Sequence, residues 1–201
     1  MSKRYTPKII VLFLNLIIFF VVFSCTGEKK EIPRDNELIF NIDSSLISAT
    51  ISDSALLVKF NPPKLWLSVN SEKFNFDPLD IPAINLNPLF SFANLGDSSS
   101  LRISKIISKD SPSSDTRLFS VYDSLLKSAC GKNLIKSGSF KKDGFTIHQY
   151  LIRKSGFIKF LLLFFNAKGD ILVFNYSAKN GNYLNVLKAI ESSIGSINLI
   201  Q

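Results

Sequence analysis

The chain has 201 residues, 46% of them hydrophobic and 20% charged, so it can build a core and is neither disordered nor fibrous. Two cysteines exclude a disulfide-rich scaffold, and a single histidine leaves no metal-ligand set in the sequence. A formal net charge of +8 is a mild excess without a concentrated basic stripe, which argues against a nucleic-acid partner.

Met1–Lys8 is polar and basic, with Lys3, Arg4 and Lys8 and no acid. Ile9–Phe23 follows, apolar except for Asn15, and then Ser24-Cys25. A basic start, a short apolar run and a small residue before a cut site is the pattern of an export signal. The run is shorter than the roughly 20 apolar residues of a membrane-spanning helix, so residues 1–24 read as a cleaved signal rather than a retained anchor.

Val22-Phe23-Ser24-Cys25 resembles a lipobox, the motif read by bacterial lipoprotein signal peptidase. It matches at Ser24 and Cys25 and departs at Phe23, where the strict motif has a small residue. The resemblance implies a bacterial lipoprotein whose mature chain begins at Cys25. That residue would carry a thioether-linked diacylglyceryl group and commonly an amide-linked acyl chain. The bilayer is then the first partner, on the periplasmic or surface side of the cell membrane or outer membrane. Each buried methylene contributes about 0.8 kcal/mol, so two or three chains hold where one does so only marginally. Acylation of Cys25 would leave Cys130 without a partner in the chain. Loss of Lys3, Arg4 and Lys8 takes 24 basic residues to 21 against 16 acidic, a net of +5 that suits anionic headgroups or cell-wall polymers.

Residues 25–37 hold charge, Gly27 and Pro33 with little to bury, and read as a flexible tether. Residues 38–201 read as a single globular domain. Glu37–Ile42 is expected as a strand. Leu46–Ile51 and Ala55–Phe60 are expected as a hairpin turning at Ser52-Asp53-Ser54. Residues 61–100 contain five of the eight prolines and scattered aromatics. Proline cannot donate to a ladder, so this stretch reads as an irregular wrap docked on the core, or else a lid over a binding site.

Leu101–Ser108 reads as a strand. Ser114 or Asp115 can cap a helix over Thr116–Cys130, whose Leu118, Val121, Tyr122, Leu125, Leu126 and Ala129 form one stripe. Gly131 sits where its C-terminal cap belongs. Four strands follow over Asn133–Phe140, Phe145–Arg153, Phe157–Phe165 and Ile171–Tyr176, each connection short and containing glycine. A last helix spans Tyr183–Ile194, and Ser196–Gln201 is expected as a short strand. Phe157–Phe165 is apolar on both faces and must be central and covered. The expected fold class is α+β: an antiparallel meander with two helices packed on it.

The stretch Phe60-Asn61-Pro62-Pro63-Lys64-Leu65-Trp66, the Leu101–Ser108 strand before the first helix, and Leu187–Ile194 carry a further resemblance. Their order resembles the PsbP and Mog1 family, an α/β/α sandwich. That implies a scaffold with accessory and binding roles and no catalytic signature.

No catalytic, metal or cofactor residue stands out. His148 reads as an ordinary strand histidine. Asp77, Asp80, Asp97, Asp110 and Asp115 are irregularly spaced and mostly in turns. There is no Gly-rich phosphate loop and no nucleophile elbow. Trp66 is expected to anchor the Pro-rich segment or to line a ligand groove. Lys136, Lys141, Lys142, Arg153, Lys154 and Lys159 gather around the meander. Of these, Lys141, Lys142, Arg153 and Lys154 at hairpin turns would, with Trp66, form a groove or a salt-sensitive docking surface on one edge. The expected function is a membrane-anchored envelope lipoprotein acting as a non-catalytic binding or accessory module for an envelope protein or an anionic polymer. The alternatives are a cell-envelope hydrolase with a site under the Pro-rich segment, and a surface adhesin using the basic edge.

Overall fold

Local polar bonds and left-handed turns set the first elements. The structure, a computed structural model, describes residues 40–70, 85–107 and 116–200. The chain divides into two units, Met1–Arg34 and Asp35–Gln201, and every described residue belongs to the second. Asp43 accepts from the backbone N–H of Ser45 and caps a 3-10 turn over Ser44–Leu46. Strands β1 (Ile51–Asp53) and β2 (Val58–Phe60) pair antiparallel. Leu57 adopts a φ of +51° between them, and the Asp53 carboxylate accepts from Leu56 N at 2.8 Å. The hairpin is therefore shorter than expected and turns at Ser54–Leu57. No strand covers residues 40–42 or 46–50, and residues 37–39 lie outside the described residues. A single backbone bridge between Ile47 and Pro63 stands there in place of a ladder, supported by side-chain bonds at Asp43 and at Asn61, which reaches back to Ser48 O and Thr50 Oγ1.

The Pro-rich stretch differs most from its reading. It contains β3 (Leu67–Ser68) and the ten-residue β4 (Asn85–Asn94), which pairs with β5 (Ser99–Ile107). Pro88 is tolerated because the register shifts between Pro88 and Phe90, while β3 reaches only Phe92 and Ala93. At Pro88 the strand is thus a bulged edge, where no ladder donor is needed. Pro78, Pro82, Phe74 and Phe76, on which the lid alternative depends, lie outside the described residues.

Helix α1 (Thr116–Cys130) has the expected bounds, and Gly131 beyond it takes a φ of +47°. Strands β6 (Leu134–Lys142), β7 (Phe145–Lys154), β8 (Phe157–Phe165) and β9 (Ile171–Lys179) form the meander. Asp143-Gly144 and Ser155-Gly156 all have positive φ, the two-residue turn that matches strand twist. Helix α2 (Tyr183–Gly195) follows, and β10 (Asn198–Leu199) closes a three-stranded sheet by pairing with β2.

The main sheet has the order β3-β4-β5-β9-β8-β7-β6, antiparallel throughout. Helix α1 carries the chain from β5 to the far edge, and the meander returns until β9 pairs with β5. Alternation along β8 splits the core. Ile158, Phe160, Leu162 and Phe164 face Ile190 and Ile194 of α2, together with Phe60 and Trp66. Leu161 and Leu163 face Phe119, Tyr122 and Leu126 of α1. Each buried Leu, Ile or Phe contributes about 1.5–3 kcal/mol, so β8 alone commits both helices to opposite faces. The result is the expected α+β sandwich, with an added three-stranded sheet beside α2.

Candidate functional site

Small residues on the edge strand leave a gap beneath the first helix. Ser137 and Ser139 of β6 stand where larger side chains would meet α1, and a cleft of about 410 Å³ opens there, with Gly138 between them facing the other side of the sheet. The register brings Ser137 opposite Tyr150 and Ser139 opposite His148, so both hydroxyls share a face with β7's polar pair. Phe119, Asp123 and Lys127 line the facing wall, each one helical turn from the next.

The Asp123 carboxylate organises the cleft. Lys127 Nζ lies 2.8 Å from one of its oxygens, and Tyr150 donates its hydroxyl hydrogen to the other. Burial alone would raise the Asp123 pKa, but the bonds from Lys127 and Tyr150 outweigh it and hold the carboxyl below its ordinary value. Burial, and then the Asp123 bond, push the Tyr150 phenol well above its ordinary range, so it stays a donor. The His148 ring packs 4.0 Å from the Phe119 ring, centroid to centroid. Burial lowers its pKa against the pull of the Asp123 charge, so it is neutral at pH 7. The cleft thus combines a carboxylate already paired on both oxygens with an ammonium, the hydroxyls of Ser120, Ser137 and Ser139, and a neutral imidazole. Such a set can hold a polar ligand by hydrogen bonds. No group of three His, Cys, Asp or Glu side chains converges on a metal position among the described residues.

Of the residues named from sequence, His148 lines the cleft, and the others that are described lie elsewhere. Cys25 lies outside the described residues. Trp66 is 5% exposed, with its ring centroid 6.4 Å from that of Tyr176, so it belongs to the core and lines no open groove. Lys141 is exposed, whereas Lys142 is buried, its ammonium bound to Asp143 and, at 3.3 Å, to Asn198. Exposed Arg153 and half-buried Lys154 lie at the opposite end of β7 from Lys141 and Lys142. The ten-residue strand puts about 30 Å between the two pairs. The expected shared edge does not exist, because successive hairpin turns fall at opposite ends of a meander. Lys159 is 1% exposed in the middle of the sheet rather than at its rim. Cys130 is buried, and burial pushes its thiol pKa up. Asp123, Lys127 and Tyr150 were not singled out, although the Asp123–Lys127 spacing of four within an apolar-striped helix is a readable ion-pair signal.

No family model matches the chain, and no curated protein matches it. The fold is similar to the solution structure of cyanobacterial PsbP (CyanoP) from Synechocystis sp. PCC 6803. The identity is 15% and the TM-score 0.48, over 81% of this chain and 97% of that one. It is also similar to the crystal structure of PA94, a protein of unknown function from Pseudomonas aeruginosa. There the identity is 13% and the TM-score 0.39, over 65% of this chain and 94% of that one.

Proposed function

We propose that the protein is a bacterial envelope lipoprotein, held on a membrane through acylated Cys25, whose α+β domain is a non-catalytic binding or accessory module. The anchoring half of the reading is supported by the basic start, apolar run and Ser24-Cys25 pattern of the sequence. The binding half is carried by one observation. The cleft under α1 offers unspent donors from Lys127, Ser137 and Ser139 around a carboxylate already satisfied by Lys127 and Tyr150. Donors in excess of acceptors suit a ligand rich in acceptor oxygens, such as an envelope polymer or a polar segment of an envelope protein.

Two measurements test the reading. Mass spectrometry of the protein purified from membranes should find a chain beginning at an acylated Cys25; an unprocessed chain starting at Met1 would refute the anchor. Gentle pull-down from membranes should recover a specific partner that is lost when Ser139→Gln fills the cleft. Hydrolase activity that disappears in His148→Ala would instead make the cleft an active site.

A further inference from the structure

One end of the seven-stranded sheet carries a chemistry that the cleft does not use. β4 ends and β5 begins there, and so do the end of β9, the start of α2 and the β7–β8 turn. Asn180 N donates to Gly156 O at 2.8 Å and ties two of these segments together. From β3 to β7 the end spans five strand spacings, about 24 Å.

Four leucines at this end stand in water. Leu65 is 74% exposed, Leu67 62%, Leu95 68% and Leu184 76%. Leu67 pairs with Ala93, so Leu65, two residues before Leu67, and Leu95, two past Ala93, lie at this same end of β3 and β4. Leu65 also has a φ of +68°, a left-handed conformation unfavourable for a bulky side chain. The fold holds this leucine outward while its neighbour Trp66 turns into the core. Single exposed leucines are ordinary; this end gathers four, one of them on strained backbone. The same end presents exposed Lys64, Arg153 and Lys179, with half-buried Lys154. Asp97, the acid of the β4–β5 turn, is engaged by Ser99 and by Asn94 at 3.0 Å.

We infer that this end of the domain docks on an anionic bilayer surface, with the leucines entering the headgroup boundary and the cations meeting lipid phosphates. Apolar side chains rimmed by cations match that boundary in both respects. Another copy of the chain would bring the same cations face to face. The inference rests on the proposed anchor only in that a tether at Cys25 keeps the domain at high local concentration beside the membrane.

The test uses the full-length acylated protein with an environment-sensitive fluorophore at Asn180→Cys, at the docking end. Lys168→Cys, in the β8–β9 turn at the other end, is the control. Cys130 is buried and does not take the label. On vesicles of phosphatidylcholine and phosphatidylglycerol the probe at 180 should shift to the blue and be quenched by lipid-borne nitroxides, while the probe at 168 should do neither. Replacing Leu65, Leu67, Leu95 and Leu184 by serine, which leaves the core in place, should abolish the shift. Arg153→Glu with Lys179→Glu, or added salt, should weaken it on anionic vesicles. Docking is overturned by a probe at 180 that stays water-like on these vesicles, or by equal shifts at 180 and 168. It is equally overturned by a shift that appears without vesicles and grows with protein concentration, which would mark self-association. Mass spectrometry of the same preparation reads the state of Cys25. If that residue is unmodified the anchor fails, and docking is still read from Cys25→Ser chains on added vesicles.

Discussion

Tyr150 of β7 donates to the Asp123 carboxylate of α1 across 27 positions of sequence, and this bond joins the helix to the sheet at the mouth of the cleft. Its partner bond, Lys127 to Asp123, stays within one helix. The two differ in worth. A bond from a buried hydroxyl to a charged group contributes about 1.5–3 kcal/mol, whereas an i,i+4 ion pair at this exposure contributes about 0.3–0.5 kcal/mol. Tyr150→Phe should therefore lower unfolding free energy clearly in urea titrations, and Lys127→Ala barely. Equal losses would mean that the ion pair, not the phenol, holds the helix down.

Acid should destabilise the domain in two separable steps. His148 has a folded pKa below its ordinary value of about 6.5, because burial disfavours the imidazolium. The unfolded chain then binds the extra proton first, so stability starts to fall as pH drops below about 6.5 and continues to fall until the folded-state pKa is passed. Asp123 is also depressed, so its contribution is complete above about pH 4 and is lost as pH falls through its folded value. Denaturant midpoints measured from pH 7 to pH 3 should show both steps. His148→Gln should erase the upper one and leave the lower. A midpoint that rises on acidification would contradict both assignments.

Much of this architecture is legible along the chain, and the reasons differ by element. β8 declares itself central because Ile158, Phe160, Leu161, Leu162, Leu163 and Phe164 leave neither face fit for water. The bounds of α1 follow from its stripe and from Gly131. β4 hides because Pro88 and Pro82 argue against a strand, and only the bulge and the short reach of β3 make room for Pro88. The cleft is illegible for a different reason. Asp123 and Tyr150 meet only because α1 crosses from β5 to the sheet's far edge, and no local pattern encodes that crossing. The separation of Lys141 and Lys142 from Arg153 and Lys154 could have been read, since consecutive antiparallel turns must alternate ends.

Asn166 should prove among the least replaceable polar residues. It is buried, its amide donates to Leu56 O at 2.9 Å, and its carbonyl accepts from Lys168 N at 2.9 Å and Asp170 N at 2.8 Å. These bonds shape the β8–β9 turn and fasten it to the β1–β2 hairpin. Asn166→Ala leaves three backbone groups short of a partner, at about 1–3 kcal/mol each for those that water does not reach. Asn166→Asp keeps the acceptor and sets a carboxylate against the Leu56 carbonyl. Both variants should lose stability, and hydrogen exchange should speed up at Leu56 and Asp170 before it does in β8. Exchange that rises first in β8 would show that the turn does not open independently.

Gly195 ends α2 beneath the start of the described chain. A methyl group there would lie 2.6 Å from Phe40 Cβ and 3.0 Å from Ile42 Cγ1, closer than such atoms approach. Helix propensity alone favours alanine over glycine by about 1 kcal/mol in a helix interior, less at its last residue. Overpacking costs about 1–3 kcal/mol, and here it acts at the Cβ of Phe40, which no rotamer change can move. The clash should win, so Gly195→Ala is expected to destabilise the domain. Relief requires the backbone at residue 40 to lift, which would pull the Phe40 ring from Phe140, now 5.4 Å away centroid to centroid. Thermal unfolding would register the loss of stability, and protease cleavage near Phe40 would accelerate in the variant. A gain in melting temperature with unchanged cleavage would mean that the segment yields freely and that its contact with α2 contributes little.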